Sequence, residues 1–147
     1  MTARTFDRLV EKLSFGDDVQ RARSADAAEK ASSKRPELLA RHKRALLRLL
    51  AREQRKEVRW HLAQMLPRLS LSAAERRDAA RVLMRWCNTD PSAIVRVCAL
   101  QALCGLADVD ARFRAAALRH VSKALAGGSP AERARARRLI ARLRARG

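Results

Sequence analysis

The sequence contains no tyrosine, and aromatic residues make up only 3% of it. Sheets favour aromatic and β-branched residues, whereas closely packed helices are built readily from Ala and Leu. Hydrophobic residues still account for 48% of the 147-residue chain, and many of them are alanine. A chain of this length is long enough to bury a core. We therefore predict an all-α protein.

Cysteine is scarce as well, and the chain has no long apolar run. Cys87, Cys98 and Cys104 show neither the paired spacing of a metal site nor an even-numbered disulfide framework. We interpret them as small core residues kept reduced in the cytosol. No apolar stretch approaches the roughly 20 residues of a membrane span, and the N-terminus lacks a signal-peptide core. We therefore predict a cytoplasmic protein without a membrane partner.

The sequence shows none of the common signatures of an enzyme. It has no phosphate-cradling glycine loop, no nucleophile elbow and no paired-carboxylate motif. Three histidines, His42, His61 and His120, fall on different predicted helices, with no carboxylate at ligand or relay spacing. We therefore predict a protein that is not an enzyme and that has no metal, no catalytic residues and no cofactor.

A repeated pattern does run through the chain. Arg96 is followed by apolar residues at positions +3, +6, +7 and +10, and the same pattern follows Arg59 and Arg133 at a distance of 37 residues on either side. A fainter copy starts at Arg21, 38 residues before Arg59. An amphipathic helix pattern precedes each copy, which predicts eight helices in four antiparallel pairs. The approximate repeats are 3–33, 36–69, 72–107 and 110–145, in a single domain spanning 1–147.

Turn signals separate the predicted helices. Pro36 is predicted to open the third helix, Gly127 and Gly128 to end the seventh, and Ser129 to cap the eighth. A helix pair with one apolar stripe on each helix cannot cover that surface alone, so neighbouring pairs must stack. The repeats therefore predict an α-solenoid, a superhelix of about four helix pairs.

The second helix of each pair resembles the HEAT repeat, which has an acidic residue in the turn and Val-Arg early in that helix. Asp90 with Val95 and Arg96 matches fully, and Glu53 stands in the Asp position before Val58 and Arg59. The end repeats depart from the pattern: Gly127 occupies the Asp position before Arg133. The resemblance implies a right-handed array without catalysis. The HEAT-like alkylpurine DNA glycosylases are a further and less favoured possibility.

The resemblance also implies a role for the repeated charges. In HEAT-like arrays the turn acid and the helix arginine bond between adjacent repeats, so an inter-repeat ladder is expected; direct contact of the arginines with a ligand remains the alternative. The expected members of this ladder are Glu53, Arg59, Asp90 and Arg96.

Trp60 lies off the buried stripe of its helix, in line with Gln64 and Arg68 at spacings of four. In a solenoid the second helices line the concave surface, so the corresponding residues of successive repeats are predicted to form one partner-binding groove. The alternative is that Trp60 fills the gap between adjacent helix pairs. The predicted groove residues are Trp60, Gln64, Arg68, Val97, Gln101, Arg138 and Arg142.

The formal net charge is +18, from 33 Lys and Arg against 15 Asp and Glu, and the whole excess lies from Lys34 onward. Basic residues line helix faces where acidic partners at i+4 are scarce, which indicates either ordinary solvated surface or contact with a polyanion. We therefore expect a scaffold that binds another protein or peptide of acidic character, with nucleic-acid binding as the alternative. The possible polyanion contacts are Arg41, Arg44, Arg48, Arg77, Arg81, Arg85 and Arg135.

Overall fold

A computed structural model describes residues 1–146 and contains helices and turns without any β-strand in that range. The prediction of an all-α protein is confirmed. Three short 3₁₀ segments, Pro36–His42, Leu66–Arg68 and Ala111–Phe113, accompany the eight α-helices of the described residues. The α-helices are α1 (Ala3–Phe15), α2 (Asp18–Lys34), α3 (Lys43–Arg52), α4 (Lys56–Met65), α5 (Ala73–Thr89), α6 (Ala93–Val109), α7 (Arg114–Gly127) and α8 (Pro130–Ala145).

The chain divides into two compact units, Met1–Ser72 and Ala73–Gly147. The division falls between the second and third predicted repeats, so each unit contains two of them. Within the first unit α1 packs against α2 and α3 against α4, and within the second unit each helix packs against the next one along the chain. The arrangement of all four repeats in one domain stays a prediction.

In the first unit, α2 packs against both α1 and α4. Phe6, Val10 and Leu13 recur on α1 at spacings of four and three, and all three are buried. The 3₁₀ segment Pro36–His42 contributes Leu39, and α4 contributes Val58. Both side chains are completely buried. The core of this unit is therefore assembled from the apolar stripes that the periodicity of the sequence predicts.

In the second unit, α6 packs against α5, α7 and α8, and so lies at the centre of the unit. Its residues Val95, Ala99 and Leu103 are completely buried. Trp86 of α5 is 1% exposed and belongs to the core. Small residues on α6 let its neighbours approach closely, which explains how an alanine-rich helix supports a core.

At two prolines, the helix boundaries differ from those that the apolar periodicity predicts. Pro36 begins a 3₁₀ segment, and the third α-helix starts only at Lys43. The repeat pattern continues through Leu69, yet α4 ends at Met65 and Pro67 lies in a 3₁₀ turn. Proline has no amide hydrogen to donate and its ring clashes with the preceding turn, so the α-helix cannot continue through it.

The turn between α7 and α8 follows the sequence prediction closely. Ser129 caps α8: its side chain accepts a hydrogen bond from the Glu132 amide, and the Glu132 side chain accepts one from the Ser129 amide. Pro130 occupies the first turn. Gly128 ends α7 with an extended backbone, and no described glycine has a positive φ. The two hydrogen bonds between Ser129 and Glu132, together with the fixed backbone of Pro130, therefore determine where α8 begins.

Candidate functional site

An arginine near the start of a second helix forms an ion pair with an acidic residue one repeat further along in both units. In the first unit, the Arg21 guanidinium pairs with the Glu53 carboxylate. The Nε of Arg21 also donates to the backbone oxygen of Leu13 at 2.8 Å. Arg21 therefore links the end of α1 to the turn before α4.

The second unit repeats this link with different residues. Arg96 of α6 donates to both carboxylate oxygens of Glu132 at 3.2 and 2.9 Å, and to the backbone oxygen of Asp90 at 2.7 Å. The hydrogen bond from Arg96 is the main reason that the pKa of Glu132 lies below its ordinary value, and the bonds with Ser129 act in the same direction. Glu132 thus supplies the acid for which the sequence pattern offered only Gly127.

The four residues of the expected ladder each take part in local contacts. Arg59 donates from Nε to the backbone oxygen of Glu53 at 2.8 Å, just as Arg96 binds the oxygen of Asp90. The Glu53 carboxylate also accepts from the Arg55 amide, and the Asp90 carboxylate accepts from the Ser92 amide. The ladder as a continuous feature stays a prediction.

The predicted groove residues of the first unit have different environments. Trp60 is half-buried, and its Nε1 donates to Nε2 of His61 at 3.2 Å. Gln64 is exposed. Arg68 donates to the Glu29 carboxylate at 2.8 Å and to the Ser32 hydroxyl at 2.9 Å. Arg68 therefore fastens the 3₁₀ segment after α4 to α2, a role that the sequence does not indicate because Glu29 lies 39 residues away.

In the second unit, α6 and α8 pack together, and two polar pairs join them in addition to Arg96 and Glu132. Gln101 accepts a hydrogen bond from Nη1 of Arg135 at 2.8 Å, and Val97 on the same line is half-buried. Arg142 is exposed and pairs with Asp108 at 2.9 Å. Arg138 is exposed and forms no ion pair within the described residues. The structure thus brings Arg135, a predicted polyanion contact, to Gln101, a predicted groove residue.

The remaining predicted polyanion contacts lie on α3, on α5 and in the segment before α3. Arg41 is exposed and pairs with Asp7 at 3.5 Å. The other five are exposed and have no ion pair within residues 1–146. These unpaired side chains are Arg44, Arg48, Arg77, Arg81 and Arg85.

The strongest concentration of charge is in α7 and α8. From Arg114 to Gly147 the sequence has ten Lys or Arg and one acidic residue, a net charge of +9, half of the +18 of the whole chain. That single acid, Glu132, is buried and already bound to Arg96. The exposed arginines of α8 are Arg133, Arg137, Arg138, Arg142 and Arg144.

The histidines have different surroundings in the structure. His42 contacts Asp7 at 2.7 Å, whereas His120 is buried in the other unit. Within the described residues, no group of three or more His, Cys, Asp or Glu side chains is arranged to hold a metal ion. Burial raises the pKa of both the Cys87 and Cys104 thiols to about 12.

No helix within residues 1–146 combines the length and apolarity that a membrane span requires. Comparison of the chain with protein-family models, with curated proteins and with solved structures gives no match. The fold and the charged surfaces therefore define an all-α protein with a strongly basic C-terminal helix pair, and the HEAT-like character stays a prediction.

Proposed function

We propose that the protein is a non-catalytic HEAT-like scaffold that binds an acidic protein partner. The proposal includes the antiparallel pairing of the helices and their stacking as an α-solenoid. The repeated link supports this plan: Arg21 with Glu53 and Arg96 with Glu132 join equivalent elements 32 and 36 residues apart. An ion pair from one second helix to an acidic residue of the next repeat, found in both units, is what stacked helix pairs would produce.

The observation that carries the binding proposal is the exposed face of α8. Arg137, Arg138 and Arg144 are exposed, and none has a carboxylate partner within the described residues. Like charges that have no opposite charge nearby repel one another and destabilise the compact state. A partner that brings carboxylates to this face removes the repulsion and gains charge-assisted hydrogen bonds from planar guanidinium groups.

Fluorescence anisotropy with a labelled polyglutamate peptide tests the acidic-partner proposal. The triple variant Arg137→Gln, Arg138→Gln, Arg144→Gln is expected to weaken binding by about tenfold or more, since charge-assisted hydrogen bonds contribute about 1.5 kcal/mol or more each. The matched control is Arg4→Gln, Arg8→Gln, Lys12→Gln, which removes three exposed charges from α1. Equal loss of binding in both variants would show that only net charge matters and would refute a specific α8 surface.

Nucleic-acid binding is the second candidate, favoured by the row of exposed arginines on α5. Arg77, Arg81 and Arg85 follow one another at four-residue spacing, so about 6 Å of helix rise separates successive side chains. Such a row suits a chain of phosphates better than a single carboxylate. If the row neutralises Z phosphates of duplex DNA, the logarithm of affinity falls with that of salt at a slope near −0.9Z.

A gel-shift series with random-sequence DNA and RNA separates the two candidates. Binding that is tight at low salt and collapses near about 0.2 M supports the nucleic-acid function, and the variant Arg77→Gln, Arg81→Gln, Arg85→Gln should then reduce the salt slope by about 2.7 for duplex DNA. No shift at micromolar protein would eliminate this candidate. The α1 variant again serves as the control for net charge.

A further inference from the structure

The second unit contains a cavity of about 330 Å³ beside the turn between α7 and α8. The end of α5, the body of α6 and both helices of the α7–α8 pair contribute to its wall. This volume falls at the lower end of the range of small-molecule sites, about 300–1,000 Å³. Besides the carboxylate of Glu132, the polar side chains that line it are Cys87, Asn88, Arg96, His120, Lys123 and Ser129.

His120 is the most informative residue of this wall. It is only 9% exposed, and neither ring nitrogen has a hydrogen-bond partner among residues 1–146. Both nitrogens remain reachable from the open space beside them, because neither is among the fully buried polar atoms that lack a partner. Because His120 lines the cavity, a molecule held there would provide the partner that the protein itself does not.

The charge of the wall is positive. Glu132 is its one carboxylate, and Arg96 binds that group through two hydrogen bonds. The ammonium of Lys123 remains, and its only hydrogen bond in the described residues is a 3.3 Å contact with the neutral side chain of Asn88. The lining therefore contains one cation, Lys123, that forms no ion pair among residues 1–146.

The start of α8 adds further attraction for an anion. Ser129 is the N-cap of a 16-residue helix, and the N-terminal end of a helix carries a partial positive charge. The Ser129 hydroxyl oxygen accepts from the Glu132 amide, which leaves its hydrogen available to a ligand. The wall thus offers three kinds of hydrogen-bond donor: the ammonium of Lys123, the imidazole of His120 and the hydroxyl of Ser129.

The titration of His120 fits the same picture. Burial is the main cause that lowers the pKa of His120, and the charges of Arg119 and Lys123 act in the same direction. The other ionisable groups in the wall are Arg96 of α6, Glu132 of α8 and the thiol of Cys87 of α5, which stays protonated. An anion in the cavity would offset the cations and favour protonation of the imidazole.

We propose that this cavity binds a phosphate-type oxyanion, supplied either as inorganic phosphate or as the phosphate of a small phosphorylated molecule. A tetrahedral oxyanion presents acceptors in several directions, as donors on separate helices require. The cavity is larger than a phosphate ion, and Leu100 and Ala124 provide the apolar wall for the remainder of an ester. This site is separate from the arginine faces of the proposed function and does not depend on it.

The test is a titration of the intact protein with inorganic phosphate at constant ionic strength, followed by NMR. Phosphate is expected to shift the amide signals of Gly127, Gly128 and Ser129 in a saturable way and to raise the pKa of His120. His42 and His61 lie in the other unit and serve as internal controls whose ring signals phosphate should not shift. Tighter binding of glycerol phosphate would assign the ligand as an ester, and tighter binding of the inorganic ion would assign free phosphate; either result supports the site.

Two variants with equal loss of charge make the result decisive. Lys123→Gln removes the cation of the cavity and should raise the dissociation constant for phosphate by about tenfold. Arg8→Gln removes an exposed charge of α1 and should leave it unchanged. Both side chains are exposed, so neither change threatens the fold. The proposal is overturned if phosphate causes no saturable shift, if it leaves the pKa of His120 unchanged, or if both variants lose affinity equally.

Discussion

Arg96 holds both carboxylate oxygens of Glu132, although the two residues are 36 positions apart and lie on different helices. Glu132 is 8% exposed, and the Arg96 side chain keeps a quarter of its surface accessible. The same glutamate caps the first turn of α8 through Ser129. One side chain therefore both starts a helix and fastens it to its neighbour.

Replacing Arg96 should destabilise the second unit strongly. In Arg96→Gln the Glu132 carboxylate stays buried without its cation, so the free energy of unfolding should fall by about 3 kcal/mol. Urea denaturation measures this change. A double-mutant cycle with Glu132→Gln isolates the pair, and the two changes together should cost less than their sum.

Arg133 supplies the control for that experiment. It follows Glu132 directly but is exposed, so Arg133→Gln should change the free energy of unfolding by no more than about 0.5 kcal/mol. If Arg96→Gln changed the free energy of unfolding as little as Arg133→Gln, the ion pair would contribute little to stability. The repeated link between helices would then need another explanation.

The stability of the protein should depend on pH through His120. Its folded pKa is lowered by burial, while the unfolded chain titrates near the ordinary value of 6.5. Between these two values the unfolded state binds more protons, so the free energy of unfolding should fall as pH decreases below about 6.5. Thermal melts across this range measure the slope.

The variant His120→Gln removes the titrating group and should flatten that slope, whatever its effect on the absolute melting temperature. An unchanged slope would assign the pH dependence to other groups.

The thiols of Cys87 and Cys104 should be unreactive in the folded protein. Burial raises both pKa values to about 12, and only the thiolate attacks alkylating reagents. In a Cys98→Ser background, alkylation near pH 8 should be on the order of a hundredfold or more slower than in urea, as mass spectrometry can follow. Equal rates in both conditions would show that these thiols are accessible thiolates.

Adjacent glycines at the end of α7 should respond in opposite ways to alanine. A Cβ on Gly128 would lie 2.6 Å from the backbone oxygen of Ala124 and 2.8 Å from Cβ of Glu132, so the turn must shift. A Cβ on Gly127 would meet nothing within 4 Å. Gly128→Ala should cost about 1–3 kcal/mol, while Gly127→Ala should be neutral or stabilise α7 by up to about 1 kcal/mol.

Urea denaturation of the two glycine variants checks the prediction without any ligand. The outcome that contradicts it is an equal change in both, since that would attribute the effect to general helix propensity and not to the close approach at Gly128.

Local patterns were sufficient to predict the helices. The spacing of Val95, Ala99 and Leu103 predicts the face of α6 that is buried, and Ser129 predicts the start of α8. The helix ends at Pro36 and Pro67 were less well predicted because apolar periodicity continues through residues where the backbone changes to a 3₁₀ turn.

The partners of the charged residues depend on tertiary structure, and the sequence indicates them poorly. Counting along the repeat pattern places Gly127 at the acidic position. The carboxylate that pairs with Arg96 instead comes from Glu132, which also caps the first turn of α8. The pairs Arg68 with Glu29 and Arg142 with Asp108 join residues 39 and 34 positions apart. Nothing in a single sequence distinguishes these acids from their exposed neighbours.

The double role of Glu132 also bears on how this part of the chain folds. Its carboxylate can cap α8 and bind Arg96 at the same time only when the first turn of α8 is formed and α6 is already in place. Nucleation of the last helix and its docking therefore favour each other, and the loss of either contact of Glu132 should weaken the other.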